Sequence, residues 1–238
     1  MTEINIHKDQ IFTAGYTIIN NIYTNNEVEQ ILQIIDKADS SNNTFRKSSE
    51  LFAVRQFLKE IPESAELIFN TKLKSVVKTI FGEDYFAVKS IYFDKPKTSN
   101  WYVSYHQDLT ISVNKKIDIE GFRFWTLKQN QYSVQPPLDI LKNIFTVRIH
   151  LDDTDNNNGA LKVIPESHLK GIYRSECIDR PAEKEVCCAV PKGGIMIMKP
   201  LLFHSSGRTT NNKQRRVIHI EFSNMELPHK IKWAERYF

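Results

Sequence analysis

Apolar positions recur every three to four residues in the first third of the chain and every two residues over much of the remainder. Val28, Ile31, Leu32 and Ile35 fall at i, i+3, i+4 and i+7, which predicts an amphipathic helix, with N-cap candidates in the stretch that starts at Asn25. Residues 51–58 predict a second, shorter helix, stopped before Pro62. A third opens at Thr71, carries Leu73, Val76, Val77 and Ile80 on one face, and stops at Gly82. From about residue 85 the period falls to two. Residues 86–93 are rich in aromatic and β-branched side chains and predict a strand. In 144–151 the alternation is clean: Phe145, Val147, Ile149 and Leu151 point one way, and Thr146, Arg148 and His150 the other. Residues 186–190, 195–198 and 216–222 predict further strands, with turns at 156–159 and 191–194. Helices first and short strands afterwards predict an α+β fold, mainly β: an antiparallel sheet or barrel backed by N-terminal helices.

Between two of these strands lies the long segment 114–142. Connections of that length are uncommon in a compact domain unless they cover a site. Its aromatic residues, Phe122, Phe124, Trp125 and Tyr132, predict a lid, with Trp125 a candidate substrate contact; the competing expectation is an excursion packed on the sheet.

With 238 residues, 41% of them hydrophobic and 25% charged, the chain has an ordinary globular balance. One domain over 1–238 is expected: helical support over about 1–84, a β core over about 85–224, and the lid at about 114–142 within it. No repeat of 20–50 residues is visible. The net charge of +4 is small and its lysines and arginines are scattered, which argues against nucleic acid as a partner and leaves a small molecule. No apolar run approaches the roughly 18 residues of a membrane span. The start, MTEINIHKDQ, lacks a basic-then-apolar signal. Cys177, Cys187 and Cys188 match no zinc or redox spacing and are expected to be reduced thiols, so a cytoplasmic location is expected. Nothing in the sequence sets an oligomeric state.

The candidate chemistry lies in three His-x-Asp pairs: His7 with Asp9, His106 with Asp108, and His150 with Asp152. A mononuclear Fe(II) oxygenase uses two histidines and one carboxylate on one face of the metal. On a strand, residues i and i+2 share a face, so His-x-Asp supplies two such ligands at once. The third must come from elsewhere, and His204 is a candidate, at the end of an apolar stretch. If the strands on either side of 207–214 form a hairpin, Arg215 shares an interior face with His204, while Arg216, Ile218, Ile220 and Phe222 face the helices. An arginine there suits the distal carboxylate of a keto acid, because its planar fork meets both oxygens. Spacing leaves the His150 pair in contention, and it also leaves open that His106 and His204 are ordinary strand histidines.

Over about residues 86–224 the chain resembles the phytanoyl-CoA dioxygenase family, non-haem Fe(II)/2-oxoglutarate oxygenases on a double-stranded β-helix. The resemblance rests on an ordered set: YHQDL at 105–109, NGALKVIPESH at 158–168, KGG at 192–194, LFHSSG at 202–207, and Arg215 eleven positions after His204. It implies His106, Asp108 and His204 as iron ligands, Arg215 as the partner of the 2-oxoglutarate C5 carboxylate, and Ser206 as a second contact. It implies Arg148 as a cosubstrate or substrate contact, and Lys89, Ile91 and Phe93 as pocket-lining residues. The implied cofactors are Fe(II), 2-oxoglutarate and O2, with ascorbate supportive in vitro. The implied reaction is hydroxylation of an unactivated C–H bond in a small or lipid-like molecule, with release of succinate and CO2. Related halogenases carry a small residue where this chain has Asp108, which argues for hydroxylation. The rival outcomes are desaturation, cyclisation or epimerisation with the same cofactors, or a non-enzymatic metal- or ligand-binding barrel. His168, in the family's Pro-x-Ser-His turn, is expected to be structural. Glu166 departs from the glycine usual in that turn.

Overall fold

The first helices are set by local caps as much as by their apolar stripes. In this computed structural model, which describes residues 3–39, 41–42, 44–48, 52–97, 99, 101–172, 184–228 and 230–237, helix α1 (Glu3–Thr13) leads into strand β1 (Tyr16–Ile19) and helix α2 (Asn25–Lys37). The cap of α2 is Thr24, one residue before the Asn25 stretch that the pattern predicts. Thr24 Oγ1 accepts from the Glu27 amide at 3.2 Å, and Glu27 Oε2 accepts from the Thr24 amide at 2.7 Å. Two orphan amides are thereby satisfied reciprocally. Val28, Ile31, Leu32 and Ile35 are buried, as their spacing predicts.

Residues 51–58 do not form one helix. Beyond β2 (Phe45–Lys47), β3 (Phe52–Arg55) is a strand, and only Phe57–Glu60 turn helical, as α3; Leu51 lies outside the described residues. A short apolar run fits either period, and here the open edge of the next strand supplies backbone partners. Helices α4 (Ala65–Ile68) and α5 (Thr71–Phe81) follow. The cap of α5 is Asn70 rather than Thr71, with Asn70 Oδ1 accepting from the Leu73 amide at 2.9 Å. Gly82, at φ 103°, ends the helix where the sequence predicts.

The β core comes next: β4 (Phe86–Lys95), β5 (Val103–His106), β6 (Ile111–Val113), β7 (Arg123–Lys128), β8 (Gln131–Gln135), α6 (Leu138–Lys142), β9 (Ile144–His150), β10 (Leu161–Ile164), β11 (Val186–Cys188), β12 (Ile195–Met198), β13 (Phe203–Ser206) and β14 (Arg215–Ser223). A seven-stranded sheet runs β1-β12-β9-β14-β4-β3-β2, and a four-stranded sheet runs β11-β10-β13-β5. Their ladders are antiparallel, and the two sheets form a double-stranded β-helix. β13 and β14 are not a hairpin, contrary to the expectation from their sequence adjacency: β13 pairs with β10 and β5, and β14 with β4 and β9. The connection crosses from one sheet to the other. The face assignment survives this change, because alternation sets the face whichever sheet the strand joins.

The large sheet is apolar outside. Ile218, Ile220 and Phe222 pack with Phe145, Val147 and Ile149 against α2 and α5. Phe145 stacks on Phe81 of α5, with centroids 3.6 Å apart, and on Phe222 at 5.0 Å. Its inner face carries Lys89, Ile91, Phe93, Arg148, Arg215 and His219 into the space between the sheets.

The segment 114–142 is a structured element. β7 and β8 join β6 in a third sheet, through a turn in which Gln129 and Asn130 both have positive φ. Phe122, Val134, Ile140 and Leu141 enter a second core, while Phe124 and Leu127 stay exposed. The turn reaches β3, where Arg55 Nε donates to Gln129 Oε1 at 3.0 Å.

Candidate metal and cosubstrate site

β5 ends at His106, and Asp108 lies just beyond the strand rather than on it. Two tethers hold this extension against the start of β13. The Asp108 amide donates to Pro200 O at 2.9 Å, and Gln107 Nε2 donates to Leu201 O at 2.7 Å and Gly171 O at 2.8 Å. His204 pairs with His106 across the β5–β13 ladder. His106 Nε2 is 3.9 Å from Asp108 Oδ1, and His204 Nε2 is 3.8 Å from Asp108 Oδ2. One ligand atom from each residue lies within 4.8 Å of the others.

The tautomers follow from the backbone. His106 Nδ1 is 2.9 Å from Ser104 O, and His204 Nδ1 is 2.9 Å from Leu202 O. A carbonyl oxygen only accepts, so each Nδ1 carries a proton and Nε2 is the nitrogen left to face a metal. Burial pushes the His204 pKa down to about 4, so the ring is neutral. For Asp108 burial works against ionisation, but its surroundings, the polar imidazoles of His204 and His219 and the Lys89 ammonium, hold it well below the usual carboxylate range. Asp108 Oδ2 is buried without a hydrogen-bond partner among the described residues. Two imidazole Nε2 atoms and an ionised carboxylate converging on one point are the donors that an Fe(II) centre with open positions uses. The residues present therefore fit the metal.

A cavity of about 130 Å³ adjoins these groups. Arg148, Ser206, Arg215, Lys89, Ile91 and Phe93 all line it. Arg215 Nη1 and Ser206 Oγ both donate to Gly159 O. Gly159 sits at φ 84°, and a Cβ there would meet Gly207 O at 2.6 Å, so the NGAL turn approaches too closely for any larger residue. Burial pushes Arg215 down to about 9 and Arg148 to about 10, which leaves both protonated at neutral pH.

Trp101, Val103, Leu161 and His219 line the cavity without having been singled out in the sequence. His219 was findable, because it shares a strand face with Arg215 four residues earlier. Trp101 lies in no periodic element and left no signal. Trp125 does not reach the cavity; it packs, half-buried, against the second core from β7. The register shift between Arg123 and Thr126 displaces β7 from simple alternation.

The rival pairs do not assemble. His7 and Asp9 lie on α1, where i and i+2 diverge, and His7 Nδ1 contacts Thr17 Oγ1 at 2.8 Å. Asp152 is taken by Arg216, which donates from Nε at 2.9 Å and from Nη2 at 2.7 Å, while His150 Nδ1 meets Thr154 Oγ1 at 2.7 Å. Asp108, His219 and Glu221 make a second acidic and imidazole cluster, but the Lys89 ammonium sits 2.6 Å from Glu221 Oε1 and already supplies the cation. His168 does not line the cavity; its Nε2 lies 3.2 Å from Phe12 O, against the end of α1. Glu166 keeps the glycine-like turn by adopting φ 66°. Cys188 is buried and Cys187 exposed, both free; Cys177 lies outside the described residues.

A histidine pair, a carboxylate and a buried arginine between the sheets of a double-stranded β-helix are the arrangement of a mononuclear non-haem iron oxygenase that uses a keto acid. The chain belongs to the phytanoyl-CoA dioxygenase family, whose sequence profile matches residues 12–217, and is an Fe(II)/2-oxoglutarate-dependent oxygenase. No curated protein sequence matches it. Among solved structures it is similar to AviO1 from Streptomyces viridochromogenes (TM-score 0.67, 16% identity, 96% of this chain and 98% of that one). It is also similar to SnoK, a non-heme alpha ketoglutarate dependent carbocyclase from nogalamycin biosynthesis (0.65, 15%, 94% and 84%), and to EctD from S. alaskensis, solved with 2-oxoglutarate and 5-hydroxyectoine (0.68, 17%, 91% and 74%). At these identities the likeness is one of fold. Among the described residues no helix is long and apolar enough to cross a membrane.

Proposed function

We propose that the protein hydroxylates an unactivated C–H bond of a small molecule with an apolar body, consuming O2 and 2-oxoglutarate and releasing succinate and CO2. The observation that carries this reading is the complete donor set: Asp108 beside His106 and His204, with no partner for its buried Oδ2 among the described residues. These three residues would hold the metal, and metal and 2-oxoglutarate together supply the oxidising chemistry when bound. Arg215, with Ser206 beside it, would hold the distal carboxylate of the cosubstrate by a charge-assisted contact. The Nδ1 tethers orient both imidazoles before anything binds, so little reorganisation is left for the reaction itself. Ile91, Phe93, Trp101, Val103 and Leu161 form apolar walls that exclude water from the reacting centre. The β7–β8 hairpin, tied to β3 through Gln129 and Arg55, is the element proposed to cover the mouth.

Leak turnover tests the reading. Wild-type protein with Fe(II) and ascorbate is expected to convert 2-oxoglutarate to succinate, and Asp108→Ala to abolish it. Undiminished succinate from an iron-loaded Asp108→Ala protein sinks the assignment. SnoK, a carbocyclase, and SnoN, an epimerase, share the fold. Product mass separates the outcomes: gain of one oxygen for hydroxylation, loss of two hydrogens for ring closure or desaturation, no change for epimerisation.

A further inference from the structure

The inner face of the seven-stranded sheet carries a continuous polar chain, and one of its members is left over. Lys89 Nζ lies 2.6 Å from Glu221 Oε1, which is 3.2 Å from His219 Nε2; His219 Nδ1 is 3.1 Å from Arg148 Nη1. A guanidinium nitrogen only donates, so His219 Nδ1 must accept. His219 is then the neutral Nε2–H tautomer, donating to Glu221. The ring is also held edge-on against Phe93, with centroids 6.3 Å apart at 87°. Lys89 and Glu221 neutralise each other. Among the described residues the hydrogen-bond acceptor that meets Arg148 is neutral, and its Nε, buried at the cavity wall, has no partner. Among the described residues no carboxylate pairs with Arg148 or Arg215. Two groups act on Arg148 at longer range: Asp108, a carboxylate that forms no ion pair with it and belongs to the metal donor set, and Cys188, a thiol that burial pushes up to about 12, so it brings no charge.

A buried guanidinium without an anion is costly to keep. The charges of the loaded site show what would relieve it. With metal and cosubstrate bound, Asp108 and the keto-acid carboxylate of 2-oxoglutarate would balance a divalent metal, and the distal carboxylate would balance Arg215. Arg148 remains. Apolar side chains, Ile91, Phe93, Trp101, Val103 and Leu161, make up the other walls of the cavity.

We infer that Arg148 is the residue that binds the substrate's anion, and that the substrate is a monoanion: one carboxylate, or a group of the same charge and planarity, on an apolar or aromatic body. His219 is a positioning residue. It accepts from Nη1 and so leaves Nε and the second terminal nitrogen of Arg148 for the ligand. The assignment rests on the proposed function, because it presumes that Arg215 and the metal are taken by the cosubstrate.

The test has two arms, both on the full chain. In the first, anaerobic Fe(II) protein is titrated with 2-oxoglutarate and followed by its visible charge-transfer band; absence of the band overturns the proposed function itself. In the second, protein loaded with Mn(II) and the unreactive analogue N-oxalylglycine is titrated calorimetrically with acetate and benzoate, and with acetamide and benzamide as neutral isosteres. One charge-assisted contact predicts that the carboxylates bind roughly ten- to a hundredfold tighter than their amides. Arg148→Gln is expected to erase that preference while leaving the 2-oxoglutarate titration within about threefold of wild type, and Arg148→Lys to restore part of it. His219→Gln is expected to weaken benzoate more than benzamide. Equal affinity for acid and amide, or no binding of either acid, in wild-type protein overturns the inference without recourse to any variant. So does an Arg148→Gln protein that loses 2-oxoglutarate instead, which assigns Arg148 to the cosubstrate.

Discussion

His106 and His204 face each other across one rung of the β5–β13 ladder, with ring centroids 4.2 Å apart. Each donates its Nδ1 proton to the carbonyl two residues before it. The same local device, used twice on paired strands, aims both Nε2 atoms at Asp108. Antiparallel pairing thus sets the spacing of the two imidazoles before any metal arrives.

That arrangement predicts that both rings are needed equally. His106→Ala and His204→Ala should each lower the affinity for Fe(II), or for Co(II) as a stand-in, by at least about a hundredfold, more than outer partners of a metal site contribute. Calorimetry of the metal, with circular dichroism to verify the fold, checks this. A variant that binds metal as tightly as wild type excludes its histidine as a ligand.

Arg215 should act on the cosubstrate alone. Arg215→Gln is expected to raise the 2-oxoglutarate Kd by roughly ten- to a hundredfold, the loss of one charge-assisted contact, with metal affinity unchanged. Arg215→Lys should recover only part, since an ammonium lacks the fork. Unaltered 2-oxoglutarate binding in Arg215→Gln would assign the distal carboxylate elsewhere.

A third prediction concerns stability and pH. Glu235 is buried, and burial pushes its carboxyl up to about 7 despite the hydrogen bond that Ser90 Oγ donates at 3.0 Å and the charges of Lys59 and Lys89. A carboxyl whose folded pKa lies above its unfolded value holds its proton more tightly in the native state. Its contribution is therefore full below about pH 4.5 and is lost as pH rises through about 7. Glu235→Gln should leave stability unchanged near pH 4 and raise it by about 2–3 kcal/mol above pH 7. Urea melts across that range decide it; a variant less stable than wild type at pH 8 contradicts the argument.

Glu166 supplies a fourth. It occupies φ 66° with its side chain exposed, in a turn pinned by the bond from its amide to Ala14 O at 2.9 Å. A left-handed conformation costs a non-glycine residue roughly 1–2 kcal/mol, and glycine gives part of that back as unfolded-state entropy. Glu166→Gly should stabilise by about 0.5–1 kcal/mol, or a few degrees in Tm. A lower Tm would mean that the Glu166 side chain does more than the turn requires.

Much of this protein was already determined by its sequence. The stripes of α2 and α5 are buried as their spacing requires, and 144–151 alternates, with Phe145, Val147, Ile149 and Leu151 in the helix-side core and Arg148 at the cavity. Those periodicities come from backbone geometry within a few residues, so no distant partner is needed to read them. The capping box of Thr24 and Glu27 was equally local, a Thr-x-x-Glu legible at its proper spacing. The tertiary structure decided what depends on distant partners. It took residues 52–55 into a strand, because β4 offers an edge there. It placed β13 and β14 in opposite sheets, because alternation specifies a face but not the sheet that a strand joins. Three His-x-Asp pairs share one spacing, and Arg216 claims Asp152 while His204 comes to His106. Trp101 rather than Trp125 lines the cavity for the same reason: proximity across the fold is set by which strands pair, and pairing is governed by the burial of faces far apart in the chain.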